Sequence, residues 1–467
     1  MAPANSVRRP LAQNTRVASL RSPSDLAGHW VRYSFRLPRI PCQRTVAPLG
    51  EARTALRLIL LAAAILSGGT IASNPAYGDD ESVSAQTREP QPKLPSLHLL
   101  RTLSLPNETS TFGMFQSGNS HLTLSRNGER LAAYVRNGLS IGIWSPDGKY
   151  QHEIPRYNSS GLGTSYVLKF FSGHAQLVTG PAAETDDQEG RSRAAEHSFS
   201  VLDANSGKVL RSIAGPNPGQ GMPKNIAIDA AVSPDERFVA LVYRTFADRR
   251  VQIYGTVDWQ LVASIDLGDD NSPIEPQALT FSPDNKTLAV LHGPHGRVKL
   301  FDVASWKLLR SFDAFPEDVP KGNVVGADAL AFSTDGTMIA VATHGGGSWW
   351  KYSNGAVAPQ GSGTLTPYFP TEPLRVYRVI DGQRVGSLGS FPGGVGRTAL
   401  AWSKGGYLGF IDGVGDIRFW DPFHPGGSIP VANMGHHSTS LLFSNDGSQL
   451  VANFEDGLKL FDIINAR

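Results

Sequence analysis

The chain has 467 residues, 49 of them Gly and 32 Pro, with one Cys and only 18% charged side chains. Gly at about 10% against a usual ~7%, and charge below the usual ~25%, exclude a coiled coil, a long helical bundle and a disordered polyampholyte. They suit an all-β chain with many tight turns. The net charge of +2 hides two unlike parts: residues 1–78 carry ten Arg, no Lys and two acids, a net +8, and the rest has 33 basic and 39 acidic residues, a net −6. An acidic folded region is a poor phosphate binder, so no nucleic-acid partner is expected.

The first recognisable element is the uncharged apolar run Leu58–Leu66, preceded by Arg53 and Arg57 and followed by Ala76-Tyr77-Gly78 and then Asp79-Asp80. A basic flank, a short apolar centre and small residues at −3 and −1 are the parts of a secretory signal peptide. Residues 51–78 are therefore expected to direct export to the periplasm or medium, with a mature start near Asp79. The variant is an uncleaved signal anchor, the one route to membrane association, since the run is short for a spanning helix of ~20 residues. Residues 1–50 are rich in Arg, Ser and Pro without periodicity; they read as a disordered extension, an organelle transit peptide, or the product of a mis-assigned start upstream of Val46 or Leu49. Residues 79–96 form a linker. The single Cys42 lies in the leader, so the folded region has no disulfide, thiolate metal site or Cys nucleophile.

From residue 97 a unit recurs: an apolar residue, Ser, a turn with Asp or Asn, then an alternating apolar strand. The serines are 125, 172, 233, 282, 333, 403 and 444. In the fourth copy, Phe281-Ser282-Pro283-Asp284 leads to strands at Thr287–Leu291, Val298–Asp302 and Leu308–Phe312, which gives four antiparallel strands per repeat. Equivalent third strands include Ile141–Trp144, Val251–Tyr254, Leu374–Tyr377, Ile417–Asp421 and Leu458–Asp462. A single four-stranded sheet cannot bury both its faces, whereas sheets packed radially cover one another.

Trp420-Asp421 and Gly435-His436 match the two name motifs of the WD-repeat family, and the last repeat keeps the family order of Gly-His, Phe443-Ser444 and Phe461-Asp462. Most other copies lack Gly-His and carry Phe, Tyr or Leu for Trp. The chain over 97–467 thus resembles divergent bacterial WD-repeat and YVTN-like proteins, which implies an all-β, seven-bladed β-propeller of four-stranded antiparallel blades. The seventh repeat ends with three strands, and Leu97–Leu103 resembles the outer strand Lys307–Phe312. The N-terminal strand is therefore expected to complete the last blade and close the ring.

Turns between first and second strands are short and alike. Length variation falls between second and third strands, Thr185–Glu196 in the second repeat and Gly345–Pro373 in the fifth, and in the blade connections near 216–224 and 316–326. Propeller geometry puts these on one face, where binding is expected. The fifth-repeat insertion brings Trp349, Trp350, Tyr352, Tyr368 and Phe369, which suit either interface anchors or residues folded back on the blades. His292, His295, His344, His436 and His437 fall on the same face. His292 and His344 are carried as binding candidates, although solvated loop histidines are the simpler reading and no convergent metal set is legible. Asp186, Asp187 and Glu189 read as a solvated loop.

No catalytic motif is present, neither G-x-S-x-G, a Walker loop nor H-E-x-x-H. The acceptor sequons at Asn107, Asn158 and Asn285 matter only in a eukaryotic secretory pathway. The sequence thus favours an exported, monomeric binding or scaffold protein without a cofactor, recognising a protein or small ligand through the long-loop face. The alternative, by fold analogy alone, is a lactonase-like propeller enzyme or the non-haem subunit of an amine-dehydrogenase-like redox enzyme.

Overall fold

The computed structural model describes residues 94–103, 122–135, 140–155, 167–171, 175–180, 199–213, 226–244, 250–268, 277–293, 295–316, 323–343, 366–368, 370–389, 395, 399–424, 427–432, 440–454 and 457–464. All regular structure among them is β. Strand β1 (Ser96–Leu103) comes first. Blade 1 holds β2 (Leu122–Leu124), β3 (Leu131–Val135), β4 (Ser140–Trp144) and β5 (Tyr150–Pro155). Blade 2 holds β6 (Leu168–Phe171), β7 (Gln176–Thr179), β8 (Phe199–Asp203) and β9 (Val209–Ile213). Blade 3 holds β10 (Ile226–Val232), β11 (Phe238–Arg244), β12 (Arg250–Gly255) and β13 (Leu261–Asp266). Blade 4 holds β14 (Ala278–Phe281), β15 (Thr287–His292), β16 (Arg297–Asp302) and β17 (Leu308–Asp313). A short strand β18 (Asn323–Val325) precedes β19 (Ala327–Phe332) and β20 (Met338–Thr343); β21 (Thr366–Tyr368) lies in the insertion, and β22 (Leu374–Arg378) and β23 (Arg384–Leu388) complete blade 5. Blade 6 holds β24 (Leu400–Trp402), β25 (Leu408–Ile411), β26 (Ile417–Trp420) and β27 (Ile429–Ala432), and blade 7 β28 (Ser440–Phe443), β29 (Gln449–Phe454) and β30 (Gly457–Ile464).

The seven four-stranded sheets are antiparallel meanders, and the seventh has the order β1-β30-β29-β28. Its outer strand is the N-terminal one: Leu97 pairs with Ile463 and Leu103 with Leu458. The ring is closed as expected, by both ends of the described chain, with no unpaired strand edge left at the join. Strands β18 and β21, which periodicity does not reveal, form a separate parallel pair, Asn323–Val325 against Thr366–Tyr368.

The recurring Ser is a turn device. In blades 3, 4, 5 and 7 its hydroxyl donates to the Asp two residues on at 2.6 Å, Ser233 to Asp235, Ser282 to Asp284, Ser333 to Asp335 and Ser444 to Asp446. The same hydroxyl accepts the backbone N–H five residues on, at 2.9–3.0 Å, which starts the second strand. Ser125 does this in blade 1 with Asn127 and Arg130. One short side chain thereby ties off both ends of the turn. The turn needs a residue with positive φ before the second strand; Glu236 (58°) and Asn285 (61°) take that conformation in blades 3 and 4.

Hydrophobic clusters lie between blades rather than within one, so both faces of each sheet are covered. Ala240, Ile253, Phe281, Leu288 and Phe301 join blades 3 and 4, and Leu131, Trp144, Val451, Leu458 and Leu460 join blades 7 and 1. Polar bonds cross the same seams. Asp229, 8% exposed, accepts from the Leu279 N–H, Thr123 Oγ1 from the Phe170 N–H, and Trp402 Nε1 donates to the Ala331 carbonyl.

Candidate functional site

The turn between third and fourth strands places one positive-φ residue against the preceding blade. It is Gly148, Gly207, Trp259, Trp306 and Gly382 in blades 1 to 5. Trp259 meets Phe171 edge-on at 5.2 Å, and Trp306 meets Phe238 at 5.2 Å and 88°. Where Gly stands, a side chain of the preceding blade's outer strand lies so close that a Cβ would meet it: a Cβ on Gly148 would lie 2.4 Å from Leu103, one on Gly207 2.8 Å from Ile154 and one on Gly382 3.0 Å from Phe312. A polar side chain of that strand then fastens to the turn. Arg101 Nη1 donates to the Asp147 carbonyl at 2.7 Å, His152 Nε2 to that of Ala204 at 2.8 Å, and Arg310 to those of Asp381 and Ile380 at 3.2 and 2.7 Å.

At the seam between blades 7 and 1 this arrangement leaves a cleft of about 280 Å³. Its walls are aliphatic, from Leu103, Leu124, Leu131, Leu442, Val451 and Leu460, and its rim is polar, from Asn127, Ser145, Asn445, Asp446 and Gln449. The Asn445 amide donates to the Arg126 carbonyl and joins the two turns. The Ser444 hydroxyl, followed by the Ser448 backbone N–H and hydroxyl, holds the Asp446 carboxyl down at about 2. Asp147 is also lowered, chiefly by the Ser145 hydroxyl and then by the Lys149 N–H. Both carboxylates are therefore ionised across the ordinary pH range. The sequence reading missed this cleft. The available signal was Gly148 and Gln449 standing where blades 4 and 3 have Trp306 and Phe238.

On the long-loop face the root of the fifth-blade insertion is built around a buried arginine. Arg375 is 1% exposed and donates from Nη1 to the Ala314 carbonyl at 2.9 Å. Its guanidinium lies 4.7 Å from the Phe315 ring, and Glu372 is 3.8 Å away. Tyr377 also donates to the Ala314 carbonyl. Glu372 in turn accepts from Arg384 Nη1 at 3.2 Å and Ser387 Oγ at 2.8 Å. With the β18–β21 pair, these contacts fasten the insertion's end to the connection between blades 4 and 5.

Of the residues expected to bind, Tyr368 ends β21. Trp349, Trp350, Tyr352, Phe369 and His344 lie outside the described residues, as do His436, His437, the acidic run from Asp186, the leader, and the sequons at Asn107 and Asn158. His292 is not a solvated loop residue. It ends β15, pairs with Arg297 and is 3% exposed, because the strand runs one residue past Leu291. His295 is half-buried in the turn that follows, its carbonyl accepting the Phe315 N–H. Among the described residues no group of three or more His, Cys, Asp or Glu is placed to hold a metal ion. No helix among them is long and apolar enough to cross a membrane.

No sequence-family profile matches the chain. No curated protein matches it in sequence. A search of solved structures finds a chain in the crystal structure of the mitotic checkpoint complex at 13% identity and a TM-score of 0.53, covering 86% of this chain and all of that one. Identity at that level carries the fold alone. Together with the seven closed blades, it makes the chain a seven-bladed β-propeller of WD-repeat-like build.

Proposed function

We propose that the chain is an exported, monomeric propeller of the bacterial YVTN-like type that holds a protein partner on its long-loop face. The observation that carries the reading is the rooted insertion of blade 5. A long segment rich in aromatic residues leaves the sheet between β20 and β22, and its end is pinned by β18, Arg375 and Tyr377 to the connection on the same face. Rigid roots under a long loop lower the ordering cost of binding. Trp349 and Trp350 are the anchors in this reading, each worth about 2 kcal/mol if buried in an interface.

The test is expression of the full chain with its leader, fractionation, and affinity capture with the wild type and the Trp349→Ala, Trp350→Ala double variant. A processed extracytoplasmic protein whose partner is lost in the variant at unchanged melting temperature is expected. An unprocessed chain in the cytoplasm would end the export reading. A partner retained by the double variant would end the assignment to that loop.

A further inference from the structure

We propose that the cleft between blades 7 and 1 is a second binding site, which takes one aromatic side chain, of tryptophan size, from a partner polypeptide. Two seams of the same ring differ at defined positions. Aligned on the turn serines and on the strand pairing, Leu442, Val451, Leu460, Leu124, Leu131 and Trp144 stand where the seam between blades 3 and 4 has Ala231, Ala240, Ile253, Phe281, Leu288 and Phe301. Three further positions fill that other seam: Phe238, Ala263 and Trp306, all packed against its core. Their counterparts are Gln449, Arg101 and Gly148. Two rings are thus replaced by an amide and a hydrogen, and the slightly larger Leu442 and Val451 do not close the gap, since about 280 Å³ stays open. What fills the equivalent groove in this chain is an indole set edge-on against Phe238, which is the precedent for an aromatic occupant here.

The chain cannot fill the cleft from Gly148 itself, because a Cβ there would lie 2.4 Å from Leu103. The rim selects a polypeptide over a free aromatic acid. Asn445 and Gln449 each use one amide N–H inside the chain, on the Arg126 carbonyl and on Asp462, and the rest of each amide can pair with a peptide backbone. Asp446 stays ionised and repels a carboxylate placed beside the ring. The short-turn face carries this cleft, so the site is independent of the long-loop reading and its test can fail without affecting that one.

The experiment is titration of the full chain with the blocked peptide acetyl-Gly-Trp-Gly-amide, followed by saturation-transfer NMR, with acetyl-Gly-Ala-Gly-amide, free tryptophan and indole as comparators. The tryptophan peptide is expected to bind, the alanine peptide and free tryptophan to bind at least tenfold more weakly. Gln449→Phe, which restores the ring of Phe238, should weaken the peptide at least tenfold with the melting temperature held or raised. Leu442→Phe fills the cleft from a second position of blade 7 and decides the matter if Gln449→Phe folds poorly. Lys286→Ala, at an exposed turn of blade 4, should change nothing. No peptide binding at millimolar concentration, or binding untouched by both filling variants, would overturn the proposal. Indole bound with the peptide excluded would overturn the polypeptide as its occupant.

Discussion

Arg101 reaches across the closure of the ring and donates from Nη1 to the carbonyl of Asp147 at 2.7 Å. The contact fastens the outer strand of blade 7 to the turn of blade 1, so the N-terminal strand is bound on two sides: by its ladder to β30 and by this latch. Leu94 and Leu97 pack on the core that joins blades 5, 6 and 7. The closing strand therefore contributes to the ring's stability, not merely to its outline.

Deletion of residues up to 105 should consequently destabilise the whole propeller, whereas deletion up to about 90 should not. Arg101→Ala alone removes one hydrogen bond from an exposed charged group and should cost about 1 kcal/mol. Urea midpoints of the three variants check this; equal midpoints for the two truncations would contradict the role given to β1.

Asn285 offers a second measure of how the blades are joined. Its Oδ1 accepts the Asp235 N–H at 2.8 Å, linking the turns of blades 3 and 4, and its own backbone sits at φ 61°. Asn285→Ala loses the bond and leaves an alanine in a left-handed conformation that Asn and Gly tolerate better. A loss of about 2 kcal/mol is expected, with Asn285→Gly costing less. A turn change on this face is thus not neutral for stability, and Lys286→Ala is the better silent control in binding work. If Asn285→Ala melts with the wild type, the inter-turn bond carries no energy.

The architecture was readable because one physical device is repeated. The Ser-x-Asp turn fixes where each second strand starts, and alternation then places the third and fourth strands. The sites were much less readable. Arg375 sits in an alternating strand, where a cation reads as solvent-facing; the structure buries it because the blade is covered on both faces. His292 precedes Gly293-Pro294 and so reads as loop, although the strand continues through it. The cleft depends on Gly148 and Gln449, residues unremarkable in themselves. They become informative only when the strands are superposed and Trp306 and Phe238 are found in their places. The aromatic insertion has no period from which a position could be read.

Acid should weaken the propeller through its turns. Ser444 and Ser448 hold Asp446 at about 2, below its ordinary value of 3.8, and Asp335 is lowered by Ser333 and the Thr337 N–H. A depressed carboxyl pKa stabilises the fold above the unfolded value, and that contribution is lost as pH falls through the folded value. For Asp446 the window runs from about 4 down to about 2. Melting temperature recorded from pH 5 to pH 2 should fall more for the wild type than for Asp446→Asn, and the two curves should converge at the acid end. Parallel curves would show that the turn carboxylate does not contribute.

Arg375 connects fold and proposed function. A guanidinium that is 1% exposed is costly to desolvate, and it is retained here with the Ala314 carbonyl, the Phe315 ring and Glu372 as partners. Removing it leaves the half-exposed Glu372 carboxylate with Arg384 and Ser387 and the Ala314 carbonyl with Tyr377, while the Glu372 carbonyl loses the Arg375 Nε–H at 3.3 Å. Arg375→Met keeps most of the side-chain volume and should therefore cost only about 1–2 kcal/mol, less than the 3–5 kcal/mol typical of stranding a buried charge. Tyr377→Phe on top of it removes the remaining side-chain donor to Ala314, and the pair should cost more than the sum of the single changes. Both single variants should keep the seven blades intact by circular dichroism. If the insertion is held by this root, limited proteolysis should cut it faster in Arg375→Met, and capture of a partner through Trp349 and Trp350 should weaken together with that cutting rate. Unchanged proteolysis beside weakened capture would place Arg375 in the interface rather than beneath it, and unchanged values of both would separate the arginine from the insertion altogether.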